Sequence, residues 1–127
     1  MKSTPDAAVA HWVAGQQATT LYTTSVTQAE VLHGILLLPA GKRRAALEAA
    51  AEAMFETDFR GRVLPFGSDA ARAYAQIAAQ RRHSGRPISV FDAQIAAITR
   101  TVRAAMATRN VGDYDDCGIK VLNPWDA

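Results

Sequence analysis

The sequence predicts an α/β domain with a mostly parallel sheet, and three observations predict it. Short β-prone stretches alternate with longer segments whose apolar residues recur at helical spacing, an order that builds parallel sheets. The chain has 127 residues, enough to bury a core without disulfides or metals. Apolar residues make up 49% and charged residues 20%, the balance of a folded domain rather than a disordered or collagen-like chain. No repeat and no linker interrupts it, so residues 1–127 read as a single domain.

The elements follow in order. Thr4-Pro5-Asp6 has the form of a helix start: a cap, a proline at the first helical position, an acid in the first turn. Val9, Trp12 and Val13 share one face of that helix, and Gly15 ends it. Thr20 to Thr24 (TLYTT) is short and β-prone, hence a strand. Thr27 and Glu30 have capping-box spacing and open a helix that runs to Pro39. From Gly41 to Phe59, Leu47, Ala50 and Met54 recur at helical spacing. Arg62 to Phe66 is a short strand. Ser68 is the expected cap of a long helix with Ala71, Tyr74, Ile77 and Ala78 inward, ending near Gly85-Arg86-Pro87. Ser89 caps the next helix, with Phe91, Ile95 and Ile98 expected to be buried and Asp92 in the first turn. Ala104 to Thr108 (AAMAT) is small and apolar throughout, which predicts a strand covered on both faces. Asn110 to Gly118 is a polar loop or a short turn of helix, and Lys120 to Leu122 a last strand before Asn123-Pro124-Trp125.

Composition excludes several classes. Cys117 is the one cysteine, so there is no disulfide scaffold, and a reducing cytoplasm is the expected compartment. The apolar run Ile35 to Leu38 is far too short to span a bilayer. The opening Met1 to Asp6 is polar, so no signal peptide is expected. The net charge of +2 is uneven: residues 60–109 hold nine basic and two acidic residues, a balance of +7. An Arg-rich middle suits contact with phosphates, and a solvated helix face has the same composition.

In parallel α/β sheets, chemistry collects beyond the carboxyl ends of the strands. Three acids fall there: Glu30 after the strand at Thr20 to Thr24, Asp113 after the strand at Ala104 to Thr108, and Asp92 at the start of the helix leading into that second strand. Carboxylates brought together repel one another unless a cation neutralises them, and a hard divalent ion such as magnesium or manganese takes oxygen donors. Two of the acids also have a purely structural alternative, Glu30 as capping-box partner of Thr27 and Asp92 as that of Ser89.

The words around the three acids resemble a known family. Ser25 to Gly34 (SVTQAEVLHG), Val90 to Ala97 (VFDAQIAA) and Ala107 to Tyr114 (ATRNVGDY) are similar to the acidic motifs of PIN-domain ribonucleases, in particular the VapC and FitB type of bacterial toxin. The turn Gly85-Arg86-Pro87-Ile88 and the closing Asn123-Pro124-Trp125 fit the same branch. The resemblance implies a three-layer fold with helices flanking the sheet, and a Mg2+- or Mn2+-dependent endoribonuclease. It assigns Glu30, Asp92 and Asp113 to the metal and Asn110 to the polar position accompanying the last acid. Arg86 and Arg109 become the first choices for holding RNA. A homodimer and a small VapB- or FitA-like antitoxin are the implied partners.

The sequence departs from the family at one place. The family opens with an apolar strand ending in an aspartate, and no such strand precedes Thr4 here. The expectation is a sheet lacking its first, central strand, with two neighbours unpaired and a site one acid short. The rival reading is a catalytically impaired binding protein that holds antitoxin or RNA without cutting it.

Overall fold

The structure is a computed structural model that describes residues 20–126. The expected helix from Thr4 to Gly15 lies outside the described residues.

Strand β1 is only Thr23–Thr24, shorter than the β-prone stretch that predicts it. Thr24 ends the strand and caps helix α1 (Ser25–Leu36): its backbone is still extended, and its hydroxyl accepts the Thr27 N–H at 3.0 Å. The helix therefore starts before the expected Thr27 box, because Thr24 sits three residues ahead of the orphan N–H. Helix α2 (Lys42–Ala53) continues into a π-helical turn at Met54–Asp58, burying Ala51 and Phe55. Strand β2 is Val63–Leu64.

Helix α3 (Ser68–His83) is capped by the backbone of Gly67, and Ser68 is its first residue rather than its cap. Its buried stripe is Ala70, Ala73, Ile77 and Arg81, with Tyr74 half-buried, whereas the expected Ala71 is exposed. The helix ends in a reversed turn: Gly85 takes φ +74°, its N–H bonds the Arg82 carbonyl, and the Arg86 N–H bonds the Arg81 carbonyl. These are the two bonds of a Schellman close, which favours glycine at this position.

Helix α4 (Val90–Thr101) is capped by the Ser89 hydroxyl, which accepts the Asp92 N–H at 3.1 Å. Ala93, Ala96, Ala97, Ile98 and Thr99 are buried. Phe91, expected inside, is 53% exposed, because alanines supply the face that meets α3 and a large ring on that line would hold the helices apart. The core joins α3 and α4 through Ala70, Ala73, Ile77, Ala96 and Ile98 to Met106, Tyr114 and Cys117.

Strand β3 (Ala105–Ala107) is followed by a 3-10 turn at Val111–Tyr114 and by strand β4 (Lys120–Leu122). A last 3-10 turn spans Pro124–Asp126. All pairing is parallel: β1 with β2, in the register Thr23–Val63, and β3 with β4, in the register Met106–Val121. Among the described residues no strand joins the two pairs. Between them lies a cleft of about 580 Å³, lined by Thr23, Thr24, Ile95, Thr99, Ala105 and Ala107. Met106 is buried, but Ala105 and Ala107 are exposed, so β3 is not covered on both faces as its composition predicts. Among the described residues, no helix is long and apolar enough to cross a membrane.

Candidate functional site

Three separate segments deliver the three acids. Glu30 projects from the second turn of α1, six residues beyond its cap. The cap is served by Thr24, so the capping-box alternative for Glu30 does not arise. Asp92 lies in the first turn of α4, where its own N–H completes the Ser89 cap. Its carboxylate is turned elsewhere: Oδ1 accepts the Tyr114 hydroxyl at 3.0 Å. Asp113 sits in the 3-10 turn that follows β3, exposed and one residue before that tyrosine.

Tyr114 therefore stands among the acids. It is 8% exposed, and its phenol is pushed well above the ordinary tyrosine range. Burial is the main cause, followed by the charge and hydrogen bond of Asp92 and the charges of Asp113 and Glu30. A phenolate here would have to form beside three carboxylates, so the hydroxyl stays a donor. All three acids thus act on one hydroxyl. Nonetheless, among the described residues no three His, Cys, Asp or Glu side chains converge closely enough to hold a metal ion. The donor chemistry, carboxylate oxygens only, fits a hard divalent cation; the spacing alone does not close a three-ligand cage.

Asn110 opens the turn. Its N–H bonds the Thr108 hydroxyl at 3.1 Å, and its carbonyl accepts the Asp113 N–H at 3.1 Å. It is exposed, on the same loop as Asp113. Glu30 shares a cavity of about 280 Å³ with Ala29, His33, Gly34 and Phe91. His33 is exposed there, three residues along the same helical face.

The two arginines expected to hold RNA differ in their surroundings. Arg86 is half-exposed and shared between two carboxylates, Asp115 and Asp116, each at 3.0 Å. Arg109 is exposed, with its guanidinium over the Trp125 ring, 5.8 Å from the centroid.

Two residues of this region escape the sequence reading. Tyr114 follows Asp113 directly, but nothing in a single tyrosine announces a hydrogen bond to Asp92. Arg81 reads as one member of the basic helix end Arg81-Arg82-His83, yet it is 5% exposed. The available signal was its spacing: it continues the line Ala70, Ala73, Ile77 by one turn. Cys117 is 1% exposed and packs in the core, and burial pushes its thiol up.

Comparison with known proteins gives a consistent picture. The family model described as PIN domain matches residues 2–112. The VapC ribonuclease Y4jK of Sinorhizobium fredii is 38% identical over 125 residues, covering 98% of this chain and 89% of the relative. Toxin FitB of Neisseria gonorrhoeae is 31% identical, covering 98% and 90%. Among solved structures, FitAB bound to an IR36 DNA fragment superimposes with a TM-score of 0.90 at 31% identity, covering 98% of this chain and 87% of that one.

Proposed function

The chain belongs to the PIN-domain family, and from that premise we propose that it is the ribonuclease toxin of a toxin–antitoxin pair. The activity is endonucleolytic hydrolysis of RNA phosphodiester bonds supported by Mg2+ or Mn2+. Support comes from the identity to a VapC ribonuclease and to toxin FitB. The observation that carries the reading at the site is the hydroxyl of Tyr114, bonded to Asp92 and acted on by the charges of Asp113 and Glu30.

Asp92, Asp113 and Glu30 are the carboxylates that would hold the cation, and they would have to draw together around it, because their spacing here forms no three-ligand cage. When bound, it supplies charge neutralisation at the phosphate and Lewis acidity toward the attacking water. The chain's own residues orient and bind. Tyr114 fixes the orientation of the Asp92 carboxylate by donating to its Oδ1. Asn110, beside Asp113, orients a ligand or a water. Arg109 and Arg86 meet the RNA backbone, where arginine's planar fork suits phosphate oxygens.

The partner is a small FitA- or VapB-like antitoxin, in line with the FitAB assembly that this fold superimposes on. A homodimer in the cytoplasm completes the proposal.

The test is cleavage of a mixed RNA substrate with Mn2+, with EDTA, and with Asp92→Asn and Asp113→Asn. The expected result is cleavage that stops with chelation and falls about 100-fold or more in either variant, the scale of losing one electrostatic stabiliser of the transition state. Cleavage that survives chelation and both substitutions overturns the reading.

A further inference from the structure

On the reading of Asp92 and Asp113 as cation ligands, we propose that Arg81 is the positioning residue of the acidic site, one buried guanidinium that sets the two segments carrying these acids against each other.

Arg81 ends the buried stripe of α3, at a place where an apolar side chain would satisfy the packing. Among the described residues its charge has no carboxylate partner. All its oxygen contacts are backbone carbonyls: Nε donates to Arg86 at 2.6 Å, and Nη1 donates to both Asp113 and Asp115 at 3.0 Å. Nη1 also lies 3.8 Å from the Cys117 sulfur. A cation taken out of water with no counter-ion is costly unless its donors are used. Here the geometry of the donors says what the position is for.

The two sides of the fork reach different segments. The Nε side holds Arg86, whose own N–H bonds back to the Arg81 carbonyl at 2.8 Å. Arg86 begins the stretch that leads through Ser89 into α4 and Asp92. The Nη1 side holds the carbonyls on either side of Tyr114, in the turn that carries Asp113. Tyr114 then closes the circuit by donating to Asp92. Outside this circuit, Arg86 pairs with Asp115 and Asp116 at the surface, where half-exposed ion pairs hold little. The hold on the turn therefore falls to the buried arginine. A lysine would carry the charge but not the planar fork, and one ammonium cannot reproduce both sides.

The test uses the whole chain with Mn2+ alone as probe, in the parent, Arg81→Met, Arg81→Lys and Asp113→Asn. Two quantities are measured: Mn2+ affinity, and the rate at which Cys117, the sole thiol, reacts with a disulfide reagent. Arg81→Met is expected to bind Mn2+ about 10–100-fold more weakly, the range for loss of an outer partner of a metal ligand. Its thiol is expected to lose protection, with helical content retained. Arg81→Lys should fall between, and it carries the comparison if the methionine variant does not fold. Asp113→Asn should lose Mn2+ affinity with the thiol still protected, which separates a ligand from a residue that positions one. Parent-like Mn2+ affinity in a folded Arg81→Met overturns the proposal, whether or not its thiol becomes reactive. A parent that takes no Mn2+ overturns the metal reading instead. In that case thiol protection in Arg81→Met equal to the parent's also overturns the hold on the turn, and lost protection supports it.

Discussion

Tyr114 couples structure to pH through one hydrogen bond. Its folded-state phenol is raised by burial and by three acids, so the folded chain keeps a proton that the unfolded chain releases from about pH 10 upward. The contribution is fully present below that point and is lost as pH climbs toward the folded value. Cys117, raised by burial, adds loss of the same sign starting near pH 9. Denaturant melts between pH 8 and pH 11 are therefore expected to show falling stability, and Tyr114→Phe should flatten the upper part of that fall. Near pH 7 the same variant should cost about 1 kcal/mol, the scale of a hydrogen bond to a partly exposed charged group. An unchanged slope would mean that neither burial nor the acids raise the phenol in the folded chain. At this scale the sequence showed Glu30, Asp92, Asp113 and Asn110, because they sit inside motifs. It did not show Tyr114 or Arg81, because Tyr114 bonds a residue 22 positions away and Arg81 holds a turn 32 or more positions away.

Helix α4 ends on a strained residue. Arg103 takes φ +56°, its N–H bonded to the Arg100 carbonyl and the Ala104 N–H to the Thr99 carbonyl. This is the same close that ends α3 at Gly85, made here by a residue with a Cβ. Arg103→Gly should therefore stabilise the chain by about 0.5–1 kcal/mol, and Gly85→Ala should destabilise it by roughly 1–2 kcal/mol. Thermal melts of the two variants shifting in opposite directions would bear this out. The strands make a second prediction. Among the described residues nothing pairs with the edges of β1 and β3 that face the cleft, so the amides of Ala105 and Ala107 on that side are expected to exchange at nearly unprotected rates. If a central strand belongs in the cleft, a version extended by an apolar strand ending in aspartate should slow that exchange and melt higher. Exchange and melting equal in both versions would dismiss the central strand. The positions of α1 to α4 and of β4 were legible from periodicity, and Ser89 was legible as a cap, whereas the caps of α1 and α3 lie earlier than Thr27 and Ser68. The face of each helix was less so: Ala71 and Phe91 read as inward because an Ala-rich stripe carries a weak apolar contrast, and neighbouring rows become interchangeable.

Over the whole molecule the charge is what a long RNA partner would meet first. With a balance of +7 over residues 60–109, RNA affinity should fall steeply with salt. About four phosphate contacts to single-stranded RNA would give a loss of about 50-fold between about 50 and about 200 mM salt. A flat dependence would return these arginines to the role of a solvated face, as Arg86 with its two carboxylate neighbours already partly is. The sequence by itself determined the α/β class, the order of elements, the three acidic motifs and the family they resemble, since caps, periodicity and short motifs are local properties of the chain. Only the tertiary structure decided that, among the described residues, β1 pairs with β2 and β3 with β4, and that Thr24 rather than Thr27 caps α1. It alone gave Tyr114 its place among the acids and left Arg81 buried under the turn that bears one of them. Those outcomes depend on which groups the packed chain leaves without water and must supply with partners, and that is settled by segments far apart in sequence meeting in the core.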